Sequence, residues 1–598
     1  MDSVRSSPPA MSALVDLIPT ALACLDYDSV RQLSSVCRSA ARSSIRAAML
    51  ERSVLQLSSS SLGVHEMLRR MELRSHLHSI EIRDCLTLPS GIQDLAELLV
   101  SVRRVTFSDE PKLDQEVRDE ANRLGAEAST ADLRRVRRRL NQEHRTRFPR
   151  EPSFVSNVLE PWFMALNPAR LLEVDMGGLR MNELCWIRRF PLIKRLQFNA
   201  SADNACTDYL EPLLCVHKTL EELVITELEV RDAKELAALQ SLKSLELRVA
   251  HNLENVVFLR SLTKLERLVL TELSVSDLSP VLDLTALKAL TIDSIVSGSA
   301  VSLGEKSRTK TSFSPALPNL ESLQVVFTQT RMNRLLGHCP SLQQLHLCGA
   351  RLGNWAPLRT LMRLEQISIN VDQIDDWTPL GELRQLKRLA LDSRQGVIRS
   401  RPLGNRLEAL EEVISAPWDD YTALIQSAPA LRELHLLGWR SRDSSSLVAL
   451  KHAVNLQTLR IAFVPGPVEL STLGELRQLR RLDMWNASLV SIEFLRGMRN
   501  LVELDIASPF RAGVQIINFT PLGQLQALQT LALSGRRELK DADLDILTQL
   551  PLLRNLDVAN TGVTPSLLTK LSRQYNTDRA KFPSRRKGVT STRTPGML

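Results

Sequence analysis

Residues 265–290 read LERLVLTELSVSDLSPVLDLTALKAL. Leu265, Leu268 and Leu270 form an LxxLxL core, and Leu287, Leu290 and Ile292 form the next one 22 residues later. Backwards, the core recurs at Leu242/Leu245/Leu247, Leu220/Leu223/Ile225, Ile193/Leu196/Phe198 and Leu171/Val174/Met176. Forwards it recurs at Leu320/Leu323/Val325, Leu342/Leu345/Leu347, Leu364/Ile367/Ile369 and Leu386/Leu389/Leu391. Six more follow, starting at Leu431, Leu456, Leu479, Leu501, Leu528 and Leu553. Chance does not hold such a register. One unit cannot bury its own leucines, but stacked neighbours can, so the pattern predicts a solenoid. Each buried Leu or Ile contributes about 1.5–3 kcal/mol. Side chains alternate along a strand, so the residues between the leucines must face the other way.

An LxxLxL core at this period resembles the leucine-rich repeat. Stretches such as DWTPLGELRQLKRLAL (376–391) and INFTPLGQLQALQTLAL (517–533) resemble its internalin-like class. The resemblance implies an α/β fold: a leucine-rich-repeat solenoid (horseshoe) with short parallel strands on the concave face, a helical N-terminal cap and a helical insertion. In the return segments Trp377, Leu380 and Leu383 should face inward, with a turn and a short helix. The class usually carries Asn three residues after the LxL, where this chain has Leu273, Ala350, Asp372, Ala487 or Thr561. The backbone ladder that those asparagines supply is therefore mostly absent.

Composition agrees with a soluble fold: 43% hydrophobic and 24% charged residues among 598. No run of 18 apolar residues marks a membrane span. Asp16 and Pro19 interrupt the apolar part of the N-terminus, which makes a poor secretory signal. None of the eight cysteines forms CxxC, and the nine-residue spacings Cys206/Cys215 and Cys339/Cys348 match no metal site, so reduced thiols are expected. This points to a cytoplasmic protein; the basic run Ser584–Lys587 would also suit nuclear entry. From Lys570 onward, eight basic residues against Asp578 supply +7 of the net charge of +8, leaving the body near neutral.

In chain order, residues 1–12 are Ser/Pro-rich and read as disordered. Residues 13–52 carry LDYDSVRQLSSVCRSAARSSI (25–45), which resembles the second half of an F-box. The match rests on Leu25, Asp26, Asp28, Val30, Leu33, Val36, Cys37 and Arg38. It implies docking to a Skp1-like adaptor of a cullin ubiquitin ligase, through Leu25, Asp26, Val30, Leu33, Val36 and Cys37. The Trp usual after Cys-Arg is missing, with Ala40 and Ala41 in that region. A plain helical cap on the solenoid explains the helices equally well. Residues 53–107 hold imperfect repeats at Leu77/Ile80/Ile82 and Val102/Val105/Phe107. Residues 108–168 form a charged helical insertion with basic residues from Arg134 to Arg150. It reads as the solvated face of a helix, or as a contact for an acidic protein or RNA. Residues 169–571 are the solenoid, broken by a Ser/Thr-rich loop at 293–316 and irregular near Leu407–Ile414. Residues 572–598 are a basic disordered tail.

No catalytic constellation, phosphate-binding loop or metal motif is present, so no enzyme activity, cofactor or metal is expected. Function should lie on the concave face. One column there holds Arg195, Arg267, Arg388, Arg481 and Glu503. The other holds Glu246, His346, His435, Arg460, Asp483 and Asp505. Trp485 lies two residues past Asp483, either as an exposed hot spot beside arginines or packed on its neighbours. The residues expected to bind a protein partner are Arg388, His435, Arg460, Arg481, Asp483, Trp485, Glu503 and Asp505. The expectation is a non-enzymatic protein-interaction scaffold, which the F-box resemblance would make a substrate receptor of a cullin ubiquitin ligase. The alternative is a structural or assembly component of a large cytoskeletal or ribonucleoprotein complex.

Overall fold

The computed structural model describes residues 54–57, 78–83, 101–108, 159–160, 162–180, 184–200, 209–228, 230–250, 252–273, 275, 277–293, 317–326, 333–348, 356–370, 378–392, 406–415, 421–436, 448–461, 470–508 and 516–576. Leu25–Arg38, Arg134–Arg150, Trp377 and residues 577–598 lie outside them. So do the expected cap and most of the insertion and of the 293–316 loop. The chain divides into two compact units, residues 1–304 and 305–598.

The first unit is a parallel sheet in chain order: β1 (Val54–Leu57), β2 (Ser79–Arg83), β3 (Arg104–Ser108), β4 (Glu173–Arg180), β5 (Arg195–Asn199), β6 (Glu222–Thr226), β7 (Ser244–Ala250), β8 (Arg267–Leu273) and β9 (Ala289–Asp293). The second continues the pattern: β10 (Ser322–Val326), β11 (Gln344–Cys348), β12 (Gln366–Asn370), β13 (Arg388–Asp392), β14 (Glu412–Ser415), β15 (Glu433–Leu436), β16 (Thr458–Ile461), β17 (Arg481–Asp483), β18 (Glu503–Asp505), β19 (Thr530–Ala532) and β20 (Asn555–Asp557). Each strand pairs in parallel with the next, and equivalent leucines lie opposite each other, as Leu245↔Leu268 and Leu482↔Leu504. Leu223, Leu245, Leu268, Leu459 and Leu531 are fully buried. The fold is a leucine-rich-repeat solenoid.

Most described return segments are five-residue 3-10 turns, such as Lys234–Ala238, Val257–Ser261, Thr378–Glu382 and Ser471–Glu475, while Asn333–Leu336 and Thr422–Ser427 are α-helical. Each of these four turns buries a central Leu: Leu236, Leu259, Leu380 or Leu473. Leu383 is also inward, as its spacing requires. A 3-10 turn rises faster per residue than an α-helix, which suits a return that must be short.

Two apparent breaks in the period do not break the sheet. After Ser108 the chain leaves for more than sixty residues, yet β3 pairs directly with β4 through Val105↔Val174. An insertion at the end of a strand costs loop entropy that grows only logarithmically. The coil that reads as irregular near Leu407–Ile414 forms β14, in register with β13 and β15. Its core positions are Leu410 and Val413, both buried, so a β-branched residue stands where leucine is usual. The last coil ends in a helix, Pro565–Gln574, and a parallel bridge between Asn555 and Asn576, past the boundary drawn at 571.

A turn recurs where strands end. Glu227, Val249, Glu272, Asn486, Gly535 and Asn560 all have φ between 53° and 81°. Each stands two residues after the third apolar residue of its LxxLxL core. Gly and Asn accept this left-handed conformation readily, whereas a β-branched Val does not.

Candidate functional site

The strand register builds two columns on the leucine-free face of the second unit. The residue before the first strand leucine gives Arg388, Glu412, Glu433, Thr458, Arg481, Glu503, Thr530 and Asn555. The residue between the leucines gives Ala390, Ile414, His435, Arg460, Asp483, Asp505, Ala532 and Asp557. Parallel strands about 4.8 Å apart bring such neighbours within reach of each other's heads. Seven of the eight residues expected to bind a partner fall in these columns, on β13 and β15–β18; Trp485 follows directly.

Most of the charges are matched across strands. Arg388 Nε lies 3.1 Å from Glu412 Oε2, and Arg481 Nε lies 3.4 Å from Glu503 Oε1. Both guanidiniums are well exposed, so these pairs contribute little to stability. Arg460 is different. Its Nε donates to Asp483 Oδ2 at 2.7 Å, and both side chains are mostly buried. His435 Nε2 lies 3.9 Å from Glu433 Oε2.

The aspartates of the second column also turn the chain. The backbone N–H of Trp485 donates to Asp483 Oδ1 at 3.0 Å. Ala507 donates likewise to Asp505 Oδ1, and Ala559 to Asp557 Oδ1. In the first unit Gly177 donates to Asp175 Oδ1. An Asp side chain that accepts from the N–H two residues on closes a tight turn. Burial pushes the Asp483 carboxyl above the usual carboxylate range, opposed by the Arg460 guanidinium and the Trp485 N–H. Asp505 is only 1% exposed. Both aspartates therefore shape the floor of the face more than its rim.

For Trp485 the sequence left open exposure or packing on its neighbours. It is half-buried, with its side chain packed on buried Ala507 and Ala532. Two small residues on successive coils leave room for an indole to lie across them. Trp485 stands two residues past Asp483, the partner of Arg460, and four past Arg481, the partner of Glu503.

Arg536 was not singled out in the sequence. It is 1% exposed, yet Nε donates to the Ile506 carbonyl at 2.8 Å and Nη2 to the Ala487 carbonyl at 2.9 Å. Glu538 lies 3.7 Å from Nη1. Burial pulls its pKa down, and Glu538 and Asp505 oppose that shift. Arg536 stands three residues after Leu533, the position of the missing asparagines. One guanidinium thus ties two preceding coils. The spacing alone could have drawn attention to it. Among the described residues no group of His, Cys, Asp and Glu can hold a metal ion, and no described helix is long and apolar enough to cross a membrane. Cys339 is buried, and its thiol is pushed up to about 12 by burial.

No family profile matches the chain, and no curated protein does. Solved structures do. An internalin from Listeria monocytogenes str. 4b F2365 is 19% identical over 59% of this chain and 78% of its own, with a TM-score of 0.28. A leucine-rich-repeat protein of Leptospira interrogans is 15% identical over 66% of this chain and 97% of its own, with a TM-score of 0.41. The Drosophila Toll–Spatzle complex is 13% identical over 67% of this chain and 53% of its own, with a TM-score of 0.45.

Proposed function

We propose that this chain is a non-enzymatic recognition scaffold that binds a protein partner on the open face of β13–β18. Trp485 on its alanine floor carries the reading. A half-buried indole beside exchangeable Arg–Glu pairs has the composition of an interface hot spot: an apolar anchor with a charged rim. In this reading Trp485 inserts into the partner. Arg388, Arg481 and Glu503 exchange their mutual pairs for the partner's charges, and His435 with Arg460 flanks the anchor. Asp483 and Asp505 hold the face in shape.

Affinity capture from native extract, with the intact chain and Trp485→Ala side by side, tests this. The partner should be retained by the intact chain, and its affinity should fall by about tenfold to a hundredfold in the variant, the loss of a hot-spot residue. Equal retention by both chains would refute the assignment. Retention that collapses with salt and ignores Trp485→Ala would favour an assembly component held by basic segments.

A finer step is included in the proposal: Leu25, Asp26, Val30, Leu33, Val36 and Cys37 dock a Skp1-like adaptor, making the scaffold a substrate receptor. The residue match supports it. Pull-down with and without residues 1–50 tests it, because an adaptor that stays bound after truncation, or never binds, removes that step. A cytoplasmic or nuclear setting belongs to the same proposal, on the cysteine pattern.

A further inference from the structure

We infer that the rim at the entry to β15–β20 binds an acidic, extended segment of the protein partner. The inference rests on the reading of the adjoining face as a protein-binding surface and names a second feature of that partner.

The residue two before each strand leucine lies just outside the two columns. From β15 to β20 it is Arg432, Gln457, Arg480, Val502, Gln529 and Arg554. Each N–H of this file donates to the carbonyl of the member before it at 2.7–2.9 Å, from Gln457 on Arg432 to Arg554 on Gln529. The file is therefore an unbroken line, one residue per coil, and no carboxylate stands in it. At the same position in the first unit, Lys194, Glu221, Lys243, Glu266 and Lys288 alternate in sign and pair with each other.

Two more arginines join the line at the turns that enter β17 and β18. Arg477 and Arg499 each stand two residues before the first leucine of their core. Asn500 Nδ2 donates to the Arg477 carbonyl at 2.9 Å, which holds the two turns together. Arg432, Arg477, Arg480, Arg499 and Arg554 are all exposed, and among the described residues none of the five is in an ion pair. Three exposed carboxylates adjoin them: Glu411 before Arg432 in the file, Glu433 after it in the chain, and Glu475 two residues before Arg477. Five guanidiniums against these three leave a surplus of two positive charges. Arg481, beside Arg480, is already matched by Glu503.

The shape of the line selects the ligand. It is one residue wide, with Glu433 and Glu503 on its strand side and Glu475 on its turn side, so a broad polyanion would meet carboxylates. No aromatic side chain stands in it on which a base could stack. An extended peptide fits. The five strand spacings from β15 to β20 span about 24 Å, which about eight extended residues cover at roughly 3.3 Å each. Side chains alternate, so every second residue faces the arginines, about 7 Å apart. The planar fork of arginine matches a carboxylate through two hydrogen bonds. An arginine with no prior partner gives up no ion pair when that carboxylate arrives.

The probe is an eight-residue peptide of alternating Glu and Gly, blocked at both ends so that it carries four charges. It is titrated into the full chain by calorimetry at about 20 mM salt, where screening is weak. Changing Arg477, Arg480 and Arg499 together to Gln should weaken binding by at least about fivefold, as the loss of several exposed charge pairs does. Changing Lys194, Lys243 and Lys288 to Gln removes the same charge from the paired file and should weaken it by less than about twofold. All six side chains are exposed, and equal thermal midpoints show that both variants are folded. Should the triple arginine variant not fold, Arg480→Gln alone carries the test, with an expected loss of about twofold. No binding at millimolar peptide, or equal losses in the two variants, overturns the inference. A five-nucleotide oligothymidylate carries the same four charges and should bind more weakly; equal or tighter binding overturns the peptide in favour of a phosphate backbone. Trp485→Ala should leave the peptide affinity unchanged, and a fall would overturn the arginine line as its site. The titration needs no partner, so its failure leaves the Trp485 reading standing, and failure to capture a partner leaves the titration standing.

Discussion

The coils of β5–β9 and those of β16–β20 share one leucine spacing but differ in how much charge they keep in water. In the first set, the residue two before each strand leucine forms a single file of alternating sign: Lys194, Glu221, Lys243, Glu266 and Lys288. Lys243 Nζ lies 2.8 Å from Glu221 Oε2, Lys194 Nζ lies 3.2 Å from Glu221 Oε1, and Lys288 Nζ lies 2.8 Å from Glu266 Oε2. Beside it runs a second file, in which Arg104 pairs with Glu173 and Arg195 with both Glu173 and Glu222. All of these groups are solvated. In the second set more charge is taken inside, a cation included: Asp483, Asp505, Asp557 and Arg536 are buried, against Glu246 and Asp293 in the first. A solvated file tolerates the loss of one member because water replaces it. A buried charge cannot be replaced by water, so it fixes the path of the chain around it. The first set is thus a neutralised wall, and the second a shaped surface with an aromatic anchor.

The sharpest way to break this contrast is Arg536→Ala. It leaves the Ile506 and Ala487 carbonyls buried without their donor, and the variant should lose about 3 kcal/mol, within the range for removing one member of a buried charged network. Hydrogen exchange should show the loss around β17–β19 and leave β5–β9 protected. Uniform loss, or none, would mean that the buried guanidinium does not organise these coils.

Val249→Gly should act in the other direction. Its φ of 56° suits glycine, and relief of left-handed strain should raise stability by about 1 kcal/mol. The thermal midpoint checks it, and a fall would show that packing of the Val side chain outweighs backbone strain.

Acid should separate the two sets. The Lys243 and Lys194 ammoniums hold the Glu221 carboxyl below its ordinary range, and Lys288 does the same for Glu266. Their stabilisation is complete above the ordinary carboxylate pKa and is lost as pH falls through the depressed values. Asp483 has the opposite sign: its pKa is raised by burial, so the folded state binds its proton first and protonation there favours folding. Exchange protection should therefore decay in β5–β9 before β16–β18 as pH is lowered below about 4, the ordinary carboxylate range. The reverse order would break the comparison. The smallest effect is expected of Lys243→Ala, a slight drop in the thermal midpoint that vanishes in 1 M salt. A drop that persists there would show that the file holds the fold after all.

Much of this was legible in the residues. The spacing of the leucines located nearly every strand, because burial of an LxxLxL core is a local demand repeated in every unit. The columns followed from alternation, and so did the grouping of His435, Arg460, Asp483 and Asp505. β14 was harder to see, since Val413 stands where leucine is usual and only its neighbours' register reveals the coil. Arg536 was hard to see for another reason, its place three residues after Leu533 being the only sign of it. An arginine in sequence carries a strong prior for the surface, and nothing local announces that two carbonyls 30 and 49 residues away will accept its protons. Trp485 could not be placed from sequence, because its burial depends on Ala507 and Ala532 lying on successive coils.

The sequence by itself determined the repeat, the direction each strand side chain takes and the face the leucines leave open, since these follow from periodicity and the burial of apolar surface. Only the tertiary structure decided which charges meet, which are shielded from water and which residues turn the chain. Those outcomes depend on what the adjacent coils bring alongside, and desolvation is a property of that surrounding volume rather than of any residue alone.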